Sequence, residues 1–383
     1  MSARGSLRLR SGQAPARAVK LVTMDFARRQ QSLRAVLEKQ KLDAILITHA
    51  PNIRYLCGFT GSAGALLLTA RGATFFTDGR YREQSKAEVR NARIVVRPKS
   101  PLESASEWLL EKAKTQLRVG IESDHVSVAA RDRLTSALGS KARLIPTSML
   151  VERLRMIKDA DEIQLMRQAA ALGDSLFATI LKTARVGVPE IEVAAALEYE
   201  AKKNGAQEMS FGTIIASGAR SALPHGRASR ASIQAGGFVV CDFGVILTGC
   251  CSDMTRTLFM GRPSAEARRI YGAVLEAQLA GVAAVRPGAT AAEIDHAARK
   301  SLKKSGLAKY FTHSTGHGVG LEIHEAPRLA ASSQEVLQPG MIITVEPGVY
   351  IPGKWGVRIE DTVLVTETGY EILTHTSKEL ISC

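Results

Sequence analysis

Two pairs of acidic residues stand inside apolar segments that are typical of buried strands. Asp242 ends the run GGFVVCD, and Asp253 follows eleven residues later in CCSDMTRTLF. Glu346 ends MIITVE, and Glu360 follows fourteen residues later in GVRIEDTVLV. A buried carboxylate without a partner costs several kcal/mol. The four acids therefore indicate bound cations, and they constrain the chain to a fold that brings these four segments together.

The histidines add to this pattern. Three of the eight in the chain fall within HSTGHGVGLEIH, as His313, His317 and His324, and His225 lies in ALPHGRAS. The glycines beside His317 let the backbone bend closely around a bound group. Four carboxylates and one imidazole can hold two divalent metals roughly 3.5–4 Å apart, which activates water for hydrolysis. The remaining histidines could bind substrate or a developing oxyanion. The sequence thus predicts a dinuclear metallohydrolase.

Length and composition allow two domains. The 383 residues carry a net charge of +14, and five basic residues without any acid fall within residues 1–23. We predict a disordered basic tail there, with Met24 as an alternative start. No apolar run approaches the ~18 residues of a membrane span, so we expect no membrane partner. The remaining charge favours solubility or attraction of acidic peptides over nucleic-acid binding. Five cysteines without a CxxC pair favour a cytoplasmic location.

The chain divides near residue 153. Residues 24–153 alternate strands with helices, which predicts a compact α/β domain, with residues 51–64 as an irregular glycine-rich stretch. That stretch either packs against its own sheet or closes over a substrate channel. Asp159 with Glu162 three residues on has the spacing of a capping box and opens a new helix. In residues 154–383 the sequence predicts the same order of elements twice, two helices followed by strands, and each half contains one acidic pair.

Several segments together resemble a known family. LPHG, VVCDFG, CCSDMTRT, HSTGHGVGLEIHE, TVEPGVYI and GVRIEDTVLVT are similar to the Xaa-Pro peptidase branch (aminopeptidase P and prolidase) of the M24 metallopeptidases. RYLCGFTGSAG and TDGRY resemble the creatinase-like domain that precedes the catalytic domain in these enzymes. The resemblance covers about residues 25–383. It implies a creatinase-like α/β domain followed by an α+β catalytic domain of the pita-bread fold.

The resemblance also implies roles for individual residues. The implied metal ligands are Asp242, Asp253, His317, Glu346 and Glu360, with Asp253 and Glu360 bridging two ions. The implied catalytic residues are His225, His313, His324, Glu346 and Arg358. Glu346 would transfer the proton and His324 would stabilise the oxyanion, while Arg358 would support the site or bind a substrate carboxylate. An oxygen-rich ligand set favours Mn²⁺, with Co²⁺ or Zn²⁺ as alternatives. Phe211 stands where some relatives have a tyrosine.

The exact activity is left open between two peptidases. We predict an Xaa-Pro aminopeptidase acting on proline-containing peptides, as a homodimer, with an Xaa-Pro dipeptidase (prolidase) as the alternative. A dipeptidase must bind the C-terminal carboxylate of its substrate, for which Arg328 and Arg358 are candidates. A non-catalytic binding protein on the same fold is a third hypothesis, and the complete ligand set speaks against it.

Overall fold

The N-terminal domain is built on a mixed six-stranded sheet. A computed structural model of the protein describes residues 24–383, so the predicted basic tail lies outside the described residues. The elements of the domain are α1 (Phe26–Lys39), β1 (Ala44–Ile47), α2 (Ala50–Cys57), β2 (Ala65–Thr69), β3 (Gly72–Thr77), α3 (Arg82–Glu88), β4 (Arg93–Val96), α4 (Pro101–Lys112), β5 (Leu117–Glu122), α5 (Val128–Leu138) and β6 (Ala142–Thr147). The strand order is β4-β3-β2-β1-β5-β6, and only β2 runs antiparallel to its neighbours.

The structure corrects the prediction that residues 51–64 are irregular throughout, because the first part of this segment is helical. Residues Ala50–Cys57 form α2, because Pro51 sits in the first turn, where no backbone N–H is needed, and Gly58 ends the helix at φ 84°. Phe59 is only 2% exposed and packs against the rings of Phe75 and Tyr81. The sequence left open whether this segment packs against its own sheet or closes over a substrate channel. For Phe59 the first interpretation is confirmed, because its ring packs against Phe75 of β3.

A short helix, α6 (Glu152–Arg155), connects the two domains. The next helix begins after Asp159 with the predicted capping box. The Asp159 side chain accepts a hydrogen bond from the Glu162 amide at 2.9 Å, and Glu162 accepts one from the Asp159 amide at 3.1 Å. The domain boundary at 153/154 stays a prediction, because α6 spans it.

The second domain contains four long helices and several small sheets. Its elements are α7 (Ala160–Thr183), α8 (Glu190–Lys203), β7 (Glu208–Met209), β8 (Ile214–Ser217), β9 (Phe238–Phe243), β10 (Val245–Leu247), β11 (Cys250–Cys251), β12 (Met254–Phe259), α9 (Ala265–Ala284), α10 (Ala291–Lys304), β13 (Gly316–Gly318), β14 (Glu325–Leu329), β15 (Ile342–Val345), β16 (Gly348–Ile351), β17 (Trp355–Arg358), β18 (Asp361–Val365) and β19 (Tyr370–Ile372). None of the helices within residues 24–383 combines the length and the apolar character needed to span a bilayer.

Two sheets, each covered by a helix pair, place the acidic residues. The sheet β12-β9-β8 packs its apolar side chains against α7 and α8, and the sheet β14-β13-β15-β18-β19 packs against α9 and α10. The two sheets meet where the Glu360 amide donates to the Thr255 carbonyl at 3.1 Å. The predicted repeat of helix, helix and strands therefore matches the structure, and the acidic pairs lie along this junction.

Candidate metal centre

The strand register brings each acidic pair together. Asp242 of β9 stands opposite Thr255 of β12, and Asp253 immediately precedes β12. In the second sheet Val345 pairs with Asp361, so the residues just outside this pair, Glu346 and Glu360, leave β15 and β18 at the same end. Each pair thus lies on neighbouring antiparallel strands, as the sequence predicts.

Three of the carboxylates form a buried cluster. Oxygen atoms of Asp242, Asp253 and Glu360 all lie within 4.8 Å of one another. Burial, together with the neighbouring negative charges, raises the pKa of Asp253 and of Glu360 well above the ordinary values. Asp242 Oδ1 and Glu360 Oε1 are buried and have no hydrogen-bond partner among the described residues. Buried oxygens of this kind fit a divalent cation, because a cation would supply the missing partner.

His317 and Glu346 stand beside this cluster. His317 Nε2 lies 3.6 Å from Asp253 Oδ2 and 3.3 Å from Glu346 Oε1. The other ring nitrogen, Nδ1, is 3.0 Å from the Gly318 carbonyl and can only donate to it. That tautomer leaves the Nε2 lone pair free to bind a metal. Thr344 supports both groups, since its hydroxyl accepts from the His317 amide at 3.1 Å and donates to Glu346 at 3.2 Å.

The glycines around His317 have a different function from the one predicted. A Cβ on Gly316 would lie 1.9 Å from the Thr344 carbonyl oxygen, and a Cβ on Gly318 would lie 2.1 Å from that of Ala326. Neither glycine has a positive φ. These glycines therefore let β13 lie close to its two neighbouring strands, and the observed contacts are with those strands.

Arg358 and Tyr350 form a second layer behind the carboxylates. The buried Arg358 guanidinium forms an ion pair with Asp242 Oδ2 and donates to the Tyr350 hydroxyl at 2.6 Å and to the Pro224 carbonyl at 3.0 Å. The Tyr350 hydroxyl is also 2.9 Å from His313 Nε2. Burial raises the pKa of Tyr350 to about 12. Tyr350 therefore stays protonated near neutral pH, and it can link Arg358 to His313.

Thr255 is a further residue that the sequence analysis missed. Its hydroxyl donates to Glu360 Oε2 at 2.7 Å and accepts from Arg358 Nε at 3.1 Å. Tyr350 was missed in the same way, although it lies in the quoted segment TVEPGVYI. The only sequence signal for either residue was its position next to or near a predicted ligand. A threonine or tyrosine in a strand usually signals only β-propensity.

A cavity of about 670 Å³ opens over the cluster. Its lining includes every predicted site residue, namely His225, Asp242, Asp253, His313, His317, His324, Glu346, Arg358 and Glu360. The rings of His317 and His324 lie 4.5 Å apart at 79°. Phe211, Arg227 and Arg328 also line the cavity. The structure therefore brings the whole predicted set to one place.

The donor set fits divalent metals. Four carboxylates and one imidazole face the same space, and Arg358 is the nearest compensating cation. Without further positive charge, this arrangement would leave buried carboxylates in repulsion, which is costly. Asp242, Asp253 and Glu360 would hold metal directly, and His317 with Glu346 would complete the coordination.

Comparison with known proteins agrees with this geometry. Residues 164–367 match the model of metallopeptidase family M24, and residues 29–157 match the creatinase/prolidase N-terminal domain. An Xaa-Pro dipeptidase of Pyrococcus horikoshii is 40% identical over 346 residues, covering 90% of this chain and 96% of the relative.

Solved structures give the same result. The structure of an Xaa-Pro dipeptidase from Bacillus anthracis superposes with a TM-score of 0.90 at 44% identity, covering 94% of this chain and all of that one. An X-Pro aminopeptidase from Thermotoga maritima superposes with a TM-score of 0.83 at 34% identity, covering 90% of this chain and 99% of that one. The predicted fold class, a creatinase-like N-terminal domain followed by a catalytic domain of the pita-bread fold, is confirmed. The chain belongs to metallopeptidase family M24 and carries the creatinase/prolidase N-terminal domain of that family's Xaa-Pro peptidases.

Proposed function

We propose that the chain is an Xaa-Pro dipeptidase, a prolidase that splits a dipeptide before its proline. The sequence alone predicts an Xaa-Pro aminopeptidase, with the dipeptidase as the alternative. Relatives named as dipeptidases are 40% and 44% identical to this chain, whereas the aminopeptidase structure is 34% identical. The comparisons therefore support the dipeptidase alternative better than the aminopeptidase.

The position of Arg328 carries this proposal. Arg328 of β14 is the cross-strand partner of His317 in β13. Directly opposed residues in antiparallel strands project from the same face, with their Cβ atoms about 4.5–5.5 Å apart. The exposed Arg328 lines the cavity, and a guanidinium binds a carboxylate with strong, oriented hydrogen bonds. A C-terminal carboxylate bound there would lie close to the metal ligands, which suits a dipeptide.

We assign the metal-binding role to Asp242, Asp253, His317, Glu346 and Glu360, which together would hold two divalent cations. Two divalent cations bound there would supply Lewis acidity and make water acidic enough to attack near neutral pH. Manganese is the proposed ion, because carboxylate oxygens outnumber the single imidazole.

The remaining residues act on the substrate and on protons. Glu346 accepts the proton of the attacking water and passes it to the proline nitrogen as the peptide bond breaks. His324 donates a hydrogen bond to the developing oxyanion, and His225 and His313 contact the substrate. Arg358 holds Asp242 in place, and its bonds to Asp242, Tyr350, Thr255 and Pro224 leave it little capacity to bind a substrate carboxylate.

We further propose a homodimer, as the family resemblance implies, and a cytoplasmic location. All five cysteines are free thiols in the structure, and four of them are buried, which supports a reducing compartment. The proposed domains span residues 24–153 and 154–383.

The proposal is tested by comparing Gly-Pro, Gly-Pro-amide and a longer Gly-Pro peptide with the Mn²⁺-loaded enzyme. We expect Gly-Pro to have the highest kcat/KM and chelation to abolish activity until Mn²⁺ is returned. Arg328→Met should lower kcat/KM for Gly-Pro by roughly 10²-fold, about the 3 kcal/mol of a charge-assisted hydrogen bond, and should change the amide much less.

Arg227→Met is the matched control, because Arg227 is another exposed arginine of the same cavity. Arg227→Met should change kcat/KM for Gly-Pro and for Gly-Pro-amide by more similar factors than Arg328→Met does. Preferential cleavage of the longer peptide, with no effect of Arg328→Met on Gly-Pro, would establish the aminopeptidase instead.

A further inference from the structure

A polar network joins the N-terminal domain to the loop that carries His324. Residues 320–325, which lie between β13 and β14 and include Glu325, the first residue of β14, are here named the His324 loop. His324 lines the catalytic cavity, and two acidic residues, Glu322 and Glu325, stand on either side of it. Both carboxylates form ion pairs with residues outside the catalytic strands.

The two carboxylates are held by three basic side chains. Glu322 accepts from His49 Nε2 at 3.0 Å and from Arg155 Nη2 at 2.7 Å. Glu325 accepts from the same Arg155 nitrogen at 2.5 Å and from Lys158 Nζ at 3.1 Å. Within the loop, the Glu322 amide donates to Glu325 Oε1 at 3.1 Å. Both ends of the turn that presents His324 are therefore fixed from outside the catalytic domain's sheets.

Arg155 is the centre of this network. It lies in the connector α6, is only 2% exposed, and donates through Nη1 to Asn52 Oδ1 of α2 at 2.7 Å. Its Nε is buried and has no hydrogen-bond partner within residues 24–383. A buried guanidinium with one unsatisfied N–H is costly, and the ion pairs to Glu322 and Glu325 must offset that cost. Arg155 is therefore oriented to form ion pairs with the His324 loop, although this orientation leaves its Nε without a hydrogen bond.

His49 is the part of the network that the N-terminal domain contributes directly. Its ring stacks on that of His125, with centroids 3.6 Å apart and planes at 7°. His125 Nε2 lies 3.1 Å from Glu152 Oε1, and His125 forms no hydrogen bond to the loop among the described residues. The two histidines therefore form a matched pair, of which only His49 touches the His324 loop.

We propose that His49 and Arg155 are positioning residues for His324. They hold the His324 loop through Glu322 and Glu325, so that the N-terminal domain helps to fix the geometry of the catalytic centre. The inference rests on the proposed function, because it takes His324 as the donor to the reacting carbonyl. Catalytic groups must be held within about 0.5 Å of their productive positions, and a 1 Å misplacement costs roughly 10²-fold in rate.

The test uses the full-length, Mn²⁺-loaded enzyme and the substrate Gly-Pro. His49→Phe keeps a ring to stack on His125 but removes the hydrogen bond to Glu322, and should lower kcat by about tenfold with KM and metal content unchanged. His49→Gln retains an amide donor and should restore most of kcat. His125→Phe is the matched control, and should leave kcat within about twofold of the parent enzyme.

Two measurements separate positioning from a purely structural role. In a His324→Ala background, His49→Phe should cause no further loss of kcat, because both changes act through the same group. Losses that multiply would overturn the proposal. In the metal-free protein, hydrogen exchange across residues 320–325 should be faster in His49→Phe than in His125→Phe, and unchanged exchange would also overturn it.

These readouts also distinguish the inference from the proposed function. An unchanged kcat in His324→Ala alone would overturn the role given to His324 in catalysis. The exchange measurement would still decide whether His49 holds the loop, since it needs neither metal nor substrate.

Discussion

At the scale of single residues, the site depends on one arginine that compensates a crowded acidic cluster. Arg358 is buried against Asp242, and its pKa is raised well above the ordinary value, because neighbouring acidic groups outweigh the opposing effect of burial. Tyr350 and Thr255 are the two hydroxyl partners of the Arg358 guanidinium among the described residues. The tyrosine hydroxyl also reaches His313, so one side chain connects the arginine to a proposed substrate-binding histidine.

Tyr350→Phe should therefore weaken both stability and activity. The change leaves Arg358 Nη1 with the Pro224 carbonyl as its remaining partner. A hydrogen bond to a charged group is worth about 1.5–3 kcal/mol, so we expect the free energy of unfolding to fall by about that amount. We also expect kcat to fall by about tenfold, because His313 loses one of its two hydrogen bonds and keeps only the one to the Ser314 carbonyl.

Denaturant unfolding and steady-state kinetics check this expectation. Metal content should be retained, because none of the five proposed ligands is touched. Tyr199→Phe, on an exposed tyrosine, is the control. If Tyr350→Phe has the same unfolding free energy and the same kinetics as the parent enzyme, the Tyr350 hydroxyl supports neither Arg358 nor His313.

The residues of the site divide into those that sequence could predict and those that it could not. Asp242 and Glu346 were predictable because a carboxylate that ends an apolar run is costly unless something binds it. Tyr350 and Thr255 were not, because nothing unusual marks a tyrosine or a threonine in a strand. Their function depends on contacts with Arg358, which Tyr350 makes within the β16–β17 hairpin and Thr255 makes from a separate sheet.

At the scale of elements, the close approach of three strands places His317, the histidine proposed as a metal ligand. Gly316 lies where β13 meets β15, and the space that a Cβ would occupy is taken by the Thr344 carbonyl. Thr344 is also the residue that bonds the His317 amide and Glu346. The spacing of these two strands therefore sets the separation of two proposed metal ligands.

Gly316→Ala should disturb the metal centre through this spacing. A Cβ placed 1.9 Å from a carbonyl oxygen forces the strands apart, and such overpacking typically costs about 1–3 kcal/mol. We expect lower thermal stability and fewer metal ions bound per chain, measured by elemental analysis. Gly369→Ala is the control, since a Cβ there meets nothing within 4 Å. Full metal content in Gly316→Ala would contradict the prediction.

Helices were easier to predict than short strands. The α7 start followed from the capping box of Asp159 and Glu162, which is a local signal. The helix α2 was missed because glycines downstream suggested a loop, although Pro51 is compatible with a first helical turn. The strands β13 and β14 are only three and five residues long and contain glycine and proline, so they carry little periodicity.

At the scale of the whole molecule, charged groups join the two domains. Besides the network at the His324 loop, Arg29 of α1 lies 2.6 Å from Asp159 and 3.1 Å from Glu162 at the start of α7. Sequence could place the domains in order along the chain, but these contacts link residues more than 100 positions apart. Local patterns carry no information about such pairs, so the interface had to come from the structure.

The interface should make stability depend on pH through Glu322. Burial alone would raise the pKa of Glu322, but the hydrogen bond from His49 and the charge of Arg155 outweigh it and lower the pKa to about 2. The pKa of a glutamate in the unfolded chain is about 4.3. Because the folded pKa is the lower one, the stabilisation is fully present above pH ~4.3 and is lost as the pH falls towards about 2.

Glu322→Gln should remove this part of the acid dependence. Over the same pH range, the free energy of unfolding should fall less steeply with decreasing pH in the variant than in the parent enzyme. The difference between the two slopes should be at most that of one proton taken up on unfolding. Denaturant unfolding at a series of pH values measures the slope, and Glu38→Gln, an exposed glutamate of α1, is the control. Parallel slopes in the parent and Glu322→Gln would mean that Glu322 has the same pKa in the folded and unfolded chain. The ion pair across the domains would then contribute nothing to acid stability.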